Sequence, residues 1–448
     1  MKKTISVILS AIMILSMCGC TKKDKETKVS SDNGVAVKTP DDEGVKTPGD
    51  DGVLTPGNEG VKTPDNSAAQ SPDTTTSPIA SMDIERVNAP VKIVDKDGKE
   101  IKTLQNFGPV RLMESGIFYT AVAPDDETVT QYRIFDPKTG KDKLMGEIKD
   151  QGYIASYAIL EVSGKIYTLT TVGNLLDQEP DQLLLLELDP ETETMEKYVL
   201  SEDGFPYCGM TEKDGEIVLF HHDQQETLYD RVMKFDPKTK EMKEIMCYEL
   251  PKDMKGETVR GISFYGDKMY VLTVRFENAN EPHLMITTYD GNYKKLESYE
   301  ISNAISEVPG NEAPDMANNE MKQMVSAFQM LSETEYYYES FSDSAHFGDM
   351  KTGKLLLTSP AMECSKGSGK TLYRILPTAD SDDYKLASEE NGVFKTVDFA
   401  AKGEGYWIFT ASSCKDGHFL IGTCVRAAEK MEHPEKVDIY YYLDGLGE

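Results

Sequence analysis

Three stretches decide the fold: Tyr132-Arg-Ile-Phe-Asp-Pro-Lys-Thr-Gly140, Leu186-Glu-Leu-Asp-Pro-Glu-Thr192 and Met233-Lys-Phe-Asp-Pro-Lys-Thr239. Each is a strand-like run that ends in Asp and enters a Pro-containing turn, with a Lys/Glu-rich strand after it. The Asp carboxylate accepts hydrogen bonds from backbone N–H groups two residues on, Pro presets the next φ, and Gly takes a positive φ. Two strands joined this way form an antiparallel hairpin. Looser copies stand at Ile93-Val-Asp-Lys-Asp-Gly98, Thr288-Tyr-Asp-Gly-Asn292 and Gly348-Asp-Met-Lys-Thr-Gly353, and Tyr440-Tyr-Tyr-Leu-Asp-Gly445 closes the series.

The marker residues Asp95, Asp136, Asp189, Asp236, Asp290, Asp349 and Asp444 are separated by 41, 53, 47, 54, 59 and 95 positions. Asp398, in Thr396-Val-Asp-Phe, divides the last interval into 49 and 46. Strands are read at Pro109–Met113, Gly116–Ala123, Thr130–Phe135 and Lys143–Ile148, so one period holds about four. The next two periods show Lys165–Thr171 with Leu183–Leu188, and Glu216–Phe220 with Arg231–Phe235. Four strands every fifty or so residues predict an all-β fold, a β-propeller of antiparallel four-stranded blades. A β-sandwich would show units near 100 residues. Residues 81–448 make room for about seven blades, within a range of six to eight. The hairpin at 91–104 lacks two preceding strands, and 405–443 supplies three. Both are expected in one closing blade, which removes free sheet edges.

Ahead of this head, Lys2-Lys3 and the apolar run Ile5 to Met17 form an export signal too short to span a bilayer. The segment ends Met17-Cys18-Gly19-Cys20-Thr21. Gly before Cys20 resembles the lipobox of bacterial lipoproteins, in which a small residue precedes the Cys that becomes the first mature residue. Met17 departs from the Leu usual at its position. The resemblance covers about 20 residues and implies cleavage after residue 19, lipid attachment at Cys20, and anchorage on the outer face of a cell membrane of Gram-positive type. Acyl chains, at about 0.8 kcal/mol per buried methylene, would replace a membrane-spanning helix.

Residues 20–80 read as a linker. They contain no aromatic side chain and carry an eight-residue repeat, as in Val45-Lys-Thr-Pro-Gly-Asp-Asp-Gly52. One Val per unit cannot build a core. Pro stiffens and Gly loosens such a chain, which reaches roughly 180 Å extended and about 45 Å as a coil. The expected organisation is therefore a signal peptide at 1–19, a tether at 20–80 and a propeller at 81–448. Anchor, repeat period and turn together resemble the broad class of lipid-anchored bacterial surface propellers. A single Trp, and no Gly-Gly pair, leave out the tryptophan-aspartate and kelch signatures.

The net charge is -29, of which the first 20 residues carry +2 and residues 21–80 carry -4, so the head holds -27. Nucleic acid is excluded as a partner, because that binding neutralises phosphates with Lys and Arg. Mean hydropathy is -0.46, which excludes a polytopic membrane protein.

No catalytic, cofactor-binding or metal-ligating set emerges. Gly367-Ser-Gly-Lys-Thr371 lacks the earlier Gly of a phosphate loop, since Cys364 stands there, and a strand follows it. His221 and His222 would point to opposite faces of a strand, and Asp380-Ser-Asp-Asp383 reads as a solvated turn. A two-residue turn between Cys414 and Cys424 would set them opposite Phe419 and Phe409, so they are not disulfide partners. The longest departure from the period is 302–331, where Met321, Met324, Val325 and Phe328 have helical spacing. Met321, Met324 and Phe328, with Tyr336, Tyr337 and Tyr338, are the candidate partner-binding residues. The expected function is recognition of a protein, peptide or glycan by a membrane-anchored head. A propeller hydrolase or lyase acting on extracellular glycan is the alternative.

Overall fold

The Asp-led turns form, and each makes the hydrogen bonds its sequence asks for. A computed structural model describes residues 88–149, 153–173, 181–224, 228–250, 256–276, 282–301, 305–306, 325–340, 344–360, 365–366, 372–377, 384–390, 393–400, 406–413, 418–425 and 427–443. The signal segment, Cys20 and the tether lie outside the described residues. Asp136 Oδ1 accepts the N–H groups of Lys138 (2.8 Å) and Thr139 (3.3 Å). Asp236 does the same with Lys238 and Thr239, and Asp349 with Lys351 and Thr352. Asp189 takes Glu191 and Thr192. The fourth residue after each Asp has a positive φ: Gly140 (72°), Glu193 (55°), Lys240 (63°) and Gly353 (65°). The turns at Asp95 and Asp290 are one residue tighter, closing on Lys99 and Lys294, with positive φ at Gly98 and Tyr293.

These turns join the strands of repeated sheets. The chain opens with β1 (Ala89–Val94) and β2 (Glu100–Asn106). Blade 1 is β3 (Val110–Met113), β4 (Gly116–Ala123), β5 (Asp126–Phe135) and β6 (Asp142–Lys149). Blades 2 and 3 share a seven-stranded sheet: β7 (Tyr153–Val162), β8 (Lys165–Gly173), β9 (Asp181–Asp189), β10 (Thr194–Lys213), β11 (Glu216–Gln224), β12 (Leu228–Phe235) and β13 (Met242–Leu250). The long β10 pairs with β9 through its first half and with β11 through its second. Bulges near Ser201 and between Phe205 and Cys208 let one strand serve both blades.

Blade 4 is β14 (Gly256–Tyr265), β15 (Lys268–Phe276), β16 (Pro282–Tyr289) and β17 (Lys295–Glu300). The two-residue β18 (Ile305–Ser306) lies parallel to the outer edge of blade 5. That blade is β19 (Val325–Met330), β20 (Glu335–Ser340), β21 (Ser344–Asp349) and β22 (Lys354–Pro360). Blade 6 is β23 (Ser365–Lys366), β24 (Leu372–Pro377), β25 (Tyr384–Glu390) and β26 (Val393–Ala400). Asp398 lies inside β26 and marks no turn, a correction to the sequence reading: it sits within the strand's second half rather than just past its end.

Blade 7 combines β27 (Tyr406–Ser413), β28 (Phe419–Val425) and β29 (Asp438–Leu443) with β1 and β2. Here β1 runs parallel to β29, from Val91 beside Asp438 to Val94 beside Tyr441. The expected closing blade is present, with five strands, and among the described residues the six sheets make seven blades, the seven-stranded one counting as two. The turn sets Ser413 rather than Cys414 opposite Phe419, and a bulge after Ile408 adds one more position, so Cys424 stands opposite Trp407 rather than Phe409. Cys424 is in no disulfide, and Cys414 lies outside the described residues.

The core is not central but distributed between blades. On β4, Ile117 and Tyr119 pack toward blade 7, whereas Phe118 packs toward blade 2. On β9, Leu184, Leu186 and Leu188 meet blade 1, and Leu185 meets blade 3. On β11, Ile217 and Leu219 face blade 2, while Val218 and Phe220 face blade 4. Alternation sends successive side chains to opposite faces, and here both faces are apolar. Each face is covered only because a neighbouring blade lies on it, at about 1.5–3 kcal/mol for each large apolar side chain buried. Inner strands also touch directly. A Cβ on Gly261 of β14 would stand 2.6 Å from Phe328 Cβ of β19, so glycine is required there by the close approach of two blades.

Two outcomes are expected. Gly261→Ala should lower stability by about 1–3 kcal/mol in urea unfolding, because the overpacked atom belongs to a fixed Cβ rather than a flexible tip. The second concerns acid. Burial pushes the Asp136, Asp189 and Asp349 carboxyls up, but hydrogen bonds from their own turns and from neighbouring side chains more than offset it, so all three sit below the ordinary range. Asp236, hydrogen-bonded by the Lys238 N–H, is lowered too. A carboxyl lowered on folding contributes stability that is present above its unfolded pKa and lost as pH falls through the folded one. Unfolding midpoints should therefore drop from about pH 4 downward. Replacing the four aspartates with Asn should flatten that limb.

Candidate functional site

The sequence-predicted partner residues fall in two groups. Met321 and Met324 lie outside the described residues. Val325 and Phe328 belong to β19, not to a helix. The bulge between Val325 and Ala327 puts Val325, Phe328 and Met330 on one strand face, which imitates helical spacing. Phe328, Tyr336 and Tyr338 pack with Tyr270, Leu272 and Ile286 in the seam between blades 4 and 5. Tyr337 takes the opposite face, its ring 4.9 Å from that of Phe347. All four are buried: 6%, 0%, 2% and 8% exposed in sequence order. They hold blade to blade beneath the surface.

Ionisable side chains also gather at the seams. In the seam between blades 2 and 3, the buried Glu187 carboxylate receives Lys165 Nζ at 2.7 Å and Lys240 Nζ from the Asp236 turn. That hydrogen bond holds the Lys165 ammonium above its ordinary pKa. Between blades 3 and 4, His222 Nδ1 pairs with Asp230, and Asp230 Oδ2 accepts the Val259 N–H at 2.5 Å. His221, on the other face of β11, is buried separately, as adjacent strand positions require. In blade 1, Tyr119 donates to Asp142 (2.8 Å) and accepts from Arg133 Nε (3.0 Å). Burial, then the Asp142 charge, pushes the Tyr119 phenol up. Between blades 7 and 1, Lys138 Nζ meets His418 Nε2 at 2.9 Å, and His418 stacks on Tyr442.

Inner strands are tied by side-chain oxygens. Ser412 Oγ accepts the Leu112 N–H and Ser263 Oγ the Met330 N–H, each at 2.9 Å. Glu161 accepts the Ser115 N–H at 3.3 Å, and burial raises its carboxyl. These groups occupy separate seams and do not converge. Among the described residues no three His, Cys, Asp or Glu side chains lie close enough to hold a metal ion. No helix among them is long and apolar enough to cross a membrane.

The two ends of the ring differ. The antiparallel order places every Asp-led turn at one end, and contacts such as Lys268–Glu333 and Lys143 with the Pro190 carbonyl bring neighbouring turns together there. Among the described residues no link at that end exceeds the length of 236–241. The opposite end carries 427–437, between β28 and β29, including α1 (Ala427–Glu432) with Met431 82% exposed. A cleft of about 370 Å³ opens at the turn end over the seam of blades 4 and 5, with Tyr270, Thr288 and Tyr299 on one side and Glu333, Met350 and Lys351 on the other.

No protein family matches the sequence, and no curated protein does. Among solved structures, the chain is similar to the WD40 β-propeller domain of Doa1, at 10% identity and a TM-score of 0.41 over 77% of this chain and 91% of that one. It is similar also to a chain of the mitotic checkpoint complex, at 11% identity and a TM-score of 0.42 over 83% and 97%. The fold assignment rests on the sheets themselves.

Sequence reasoning missed the His222–Asp230 pair. Its signal was available: strands 216–220 and 231–235, read as one hairpin, set 222 opposite 230. Asp230→Ala should cost about 3–5 kcal/mol, because it strands a buried imidazole and the Val259 N–H at once. Thermal unfolding of the variant checks this; a loss below 1 kcal/mol would mean the pair is not a seam tie.

Proposed function

We propose that the protein is an exported lipoprotein, anchored through Cys20, whose propeller head is a protein-binding scaffold. The observation that carries the binding reading is the asymmetry of the ring. Turns at one end are short and bonded within themselves, whereas the other end bears the 427–437 link with α1 and its exposed Met431. Binding residues concentrate on such loops when a rigid frame positions them. The seam clusters support this reading, because their ionisable groups are already committed to neighbouring blades. The charge of -27 on the head favours a partner with a basic face, attracted more strongly at low salt. The 61 residues 20–80 would let the head reach a partner well clear of the membrane.

Two measurements test the parts separately. For the anchor, cells are grown with labelled palmitate: the native chain should take up label and sediment with membranes, and Cys20→Ala should do neither. Label retained by that variant would overturn the assignment. For the binding end, a photo-crosslinking residue is placed in turn at Met431, on the long-connection end, and at Lys141, on the turn end. Adducts with one recurrent protein are expected from position 431 and not from 141, and should fade as salt rises. The reverse pattern would refute the assignment of the face.

A further inference from the structure

The cleft over the seam of blades 4 and 5 has a floor that its own residues leave incomplete. Thr288, on β16, lies between Tyr270 of β15 and Glu297 of β17 in the same cross-strand rank. It is 6% exposed, and its Oγ1 atom has no hydrogen-bond partner. A buried hydroxyl without a partner carries its desolvation penalty unrelieved. The groups around it are engaged: the Tyr270 hydroxyl donates to the Glu333 carbonyl at 3.3 Å, Lys268 pairs with Glu333 at 3.0 Å, and the Tyr299 hydroxyl donates to Glu297. That last bond pushes the Tyr299 phenol up to about 12, so it stays neutral.

The lining charges also balance. Lys268 and Lys351 stand against Glu297 and Glu333, giving a neutral cleft in a chain of net charge -29. Beside the floor are an aromatic face, Tyr299, and an apolar side chain, Leu296, that is 48% exposed. The volume of about 370 Å³ is at the small end of ligand sites.

We propose that this cleft binds one neutral sugar ring of a glycan. A pyranose has the matching pattern, with C–H groups on its faces and hydroxyls around its edge. The faces pack on Tyr299 and Leu296, one ring hydroxyl completes Thr288, and others meet Glu297 and Lys351 at the rim. A charged ligand finds no net counter-charge, and an apolar ligand leaves Thr288 as it is. The site lies on the turn end, opposite the proposed protein-binding face, so either can fail without the other.

The test uses the full mature chain, titrated by calorimetry with neutral trisaccharides (chitotriose, cellotriose and mannotriose), with trigalacturonate and a neutral tripeptide as comparisons. At least one neutral trisaccharide should bind in the micromolar to millimolar range, with trigalacturonate and the tripeptide at least tenfold weaker. Thr288→Val keeps the side-chain shape and removes the hydroxyl. It should weaken binding about five- to tenfold, the value of one hydrogen bond, yet raise the melting temperature of the free protein. Leu296→Ala, at an exposed position, should weaken binding with no change in melting temperature. No neutral sugar bound at millimolar concentration, tighter binding of the tripeptide or trigalacturonate, or full affinity in both variants would each overturn the assignment.

Discussion

A β-sheet that is apolar on both faces must be covered on both faces, and this constraint organises the whole head. β4, β9, β11 and β15 each send odd and even side chains into different clusters, as with Met269 and Val271 toward blade 3 but Tyr270, Leu272 and Val274 toward blade 5. A stack of two such sheets would still expose an apolar face at each end. A ring has no end. Closure then depends on the N-terminal hairpin, because β1 supplies Val91 and Ile93 to the cluster shared with blade 1 and Val94 to that shared with blade 6.

The same constraint explains where polar groups went. Between two apolar faces a carboxylate or imidazole survives only with a partner. Glu187, Asp230 and Tyr119 each have one across a seam or within a blade. Such pairs fix how neighbouring blades sit. Above the seam of blades 4 and 5 a cleft remains, lined by Thr288 and Tyr299 of one blade and Glu333 and Met350 of the next.

The turns were legible because Asp, Pro, Thr and Gly act locally: Asp136, Asp189, Asp236 and Asp349 bond within five residues of themselves. From their period followed the blades, the strand order and the closing hairpin. Position 398 misled, since an Asp inside a strand looks the same in sequence as one at its end. Residues 325–338 misled for a different reason. A bulge restores apolar side chains to one strand face at a spacing that also suits a helix, and a run of three tyrosines reads as surface until the next blade is known to cover it. The site residues were the least legible. Thr288 and Glu333 come together from two blades, 45 positions apart, and no local rule places the turn of one blade over the floor of the next.

The central claim is that the hairpin 89–106 closes a single ring on which every seam depends. Thermal unfolding of chains beginning at residue 88 and at residue 107 tests it most directly. The first should melt in one cooperative transition. The second, with the outer edge of β29 and one face of blade 1 uncovered, should lose that transition or melt far lower, and bind dyes that report exposed apolar surface. Equal melting temperatures for the two chains would contradict the account.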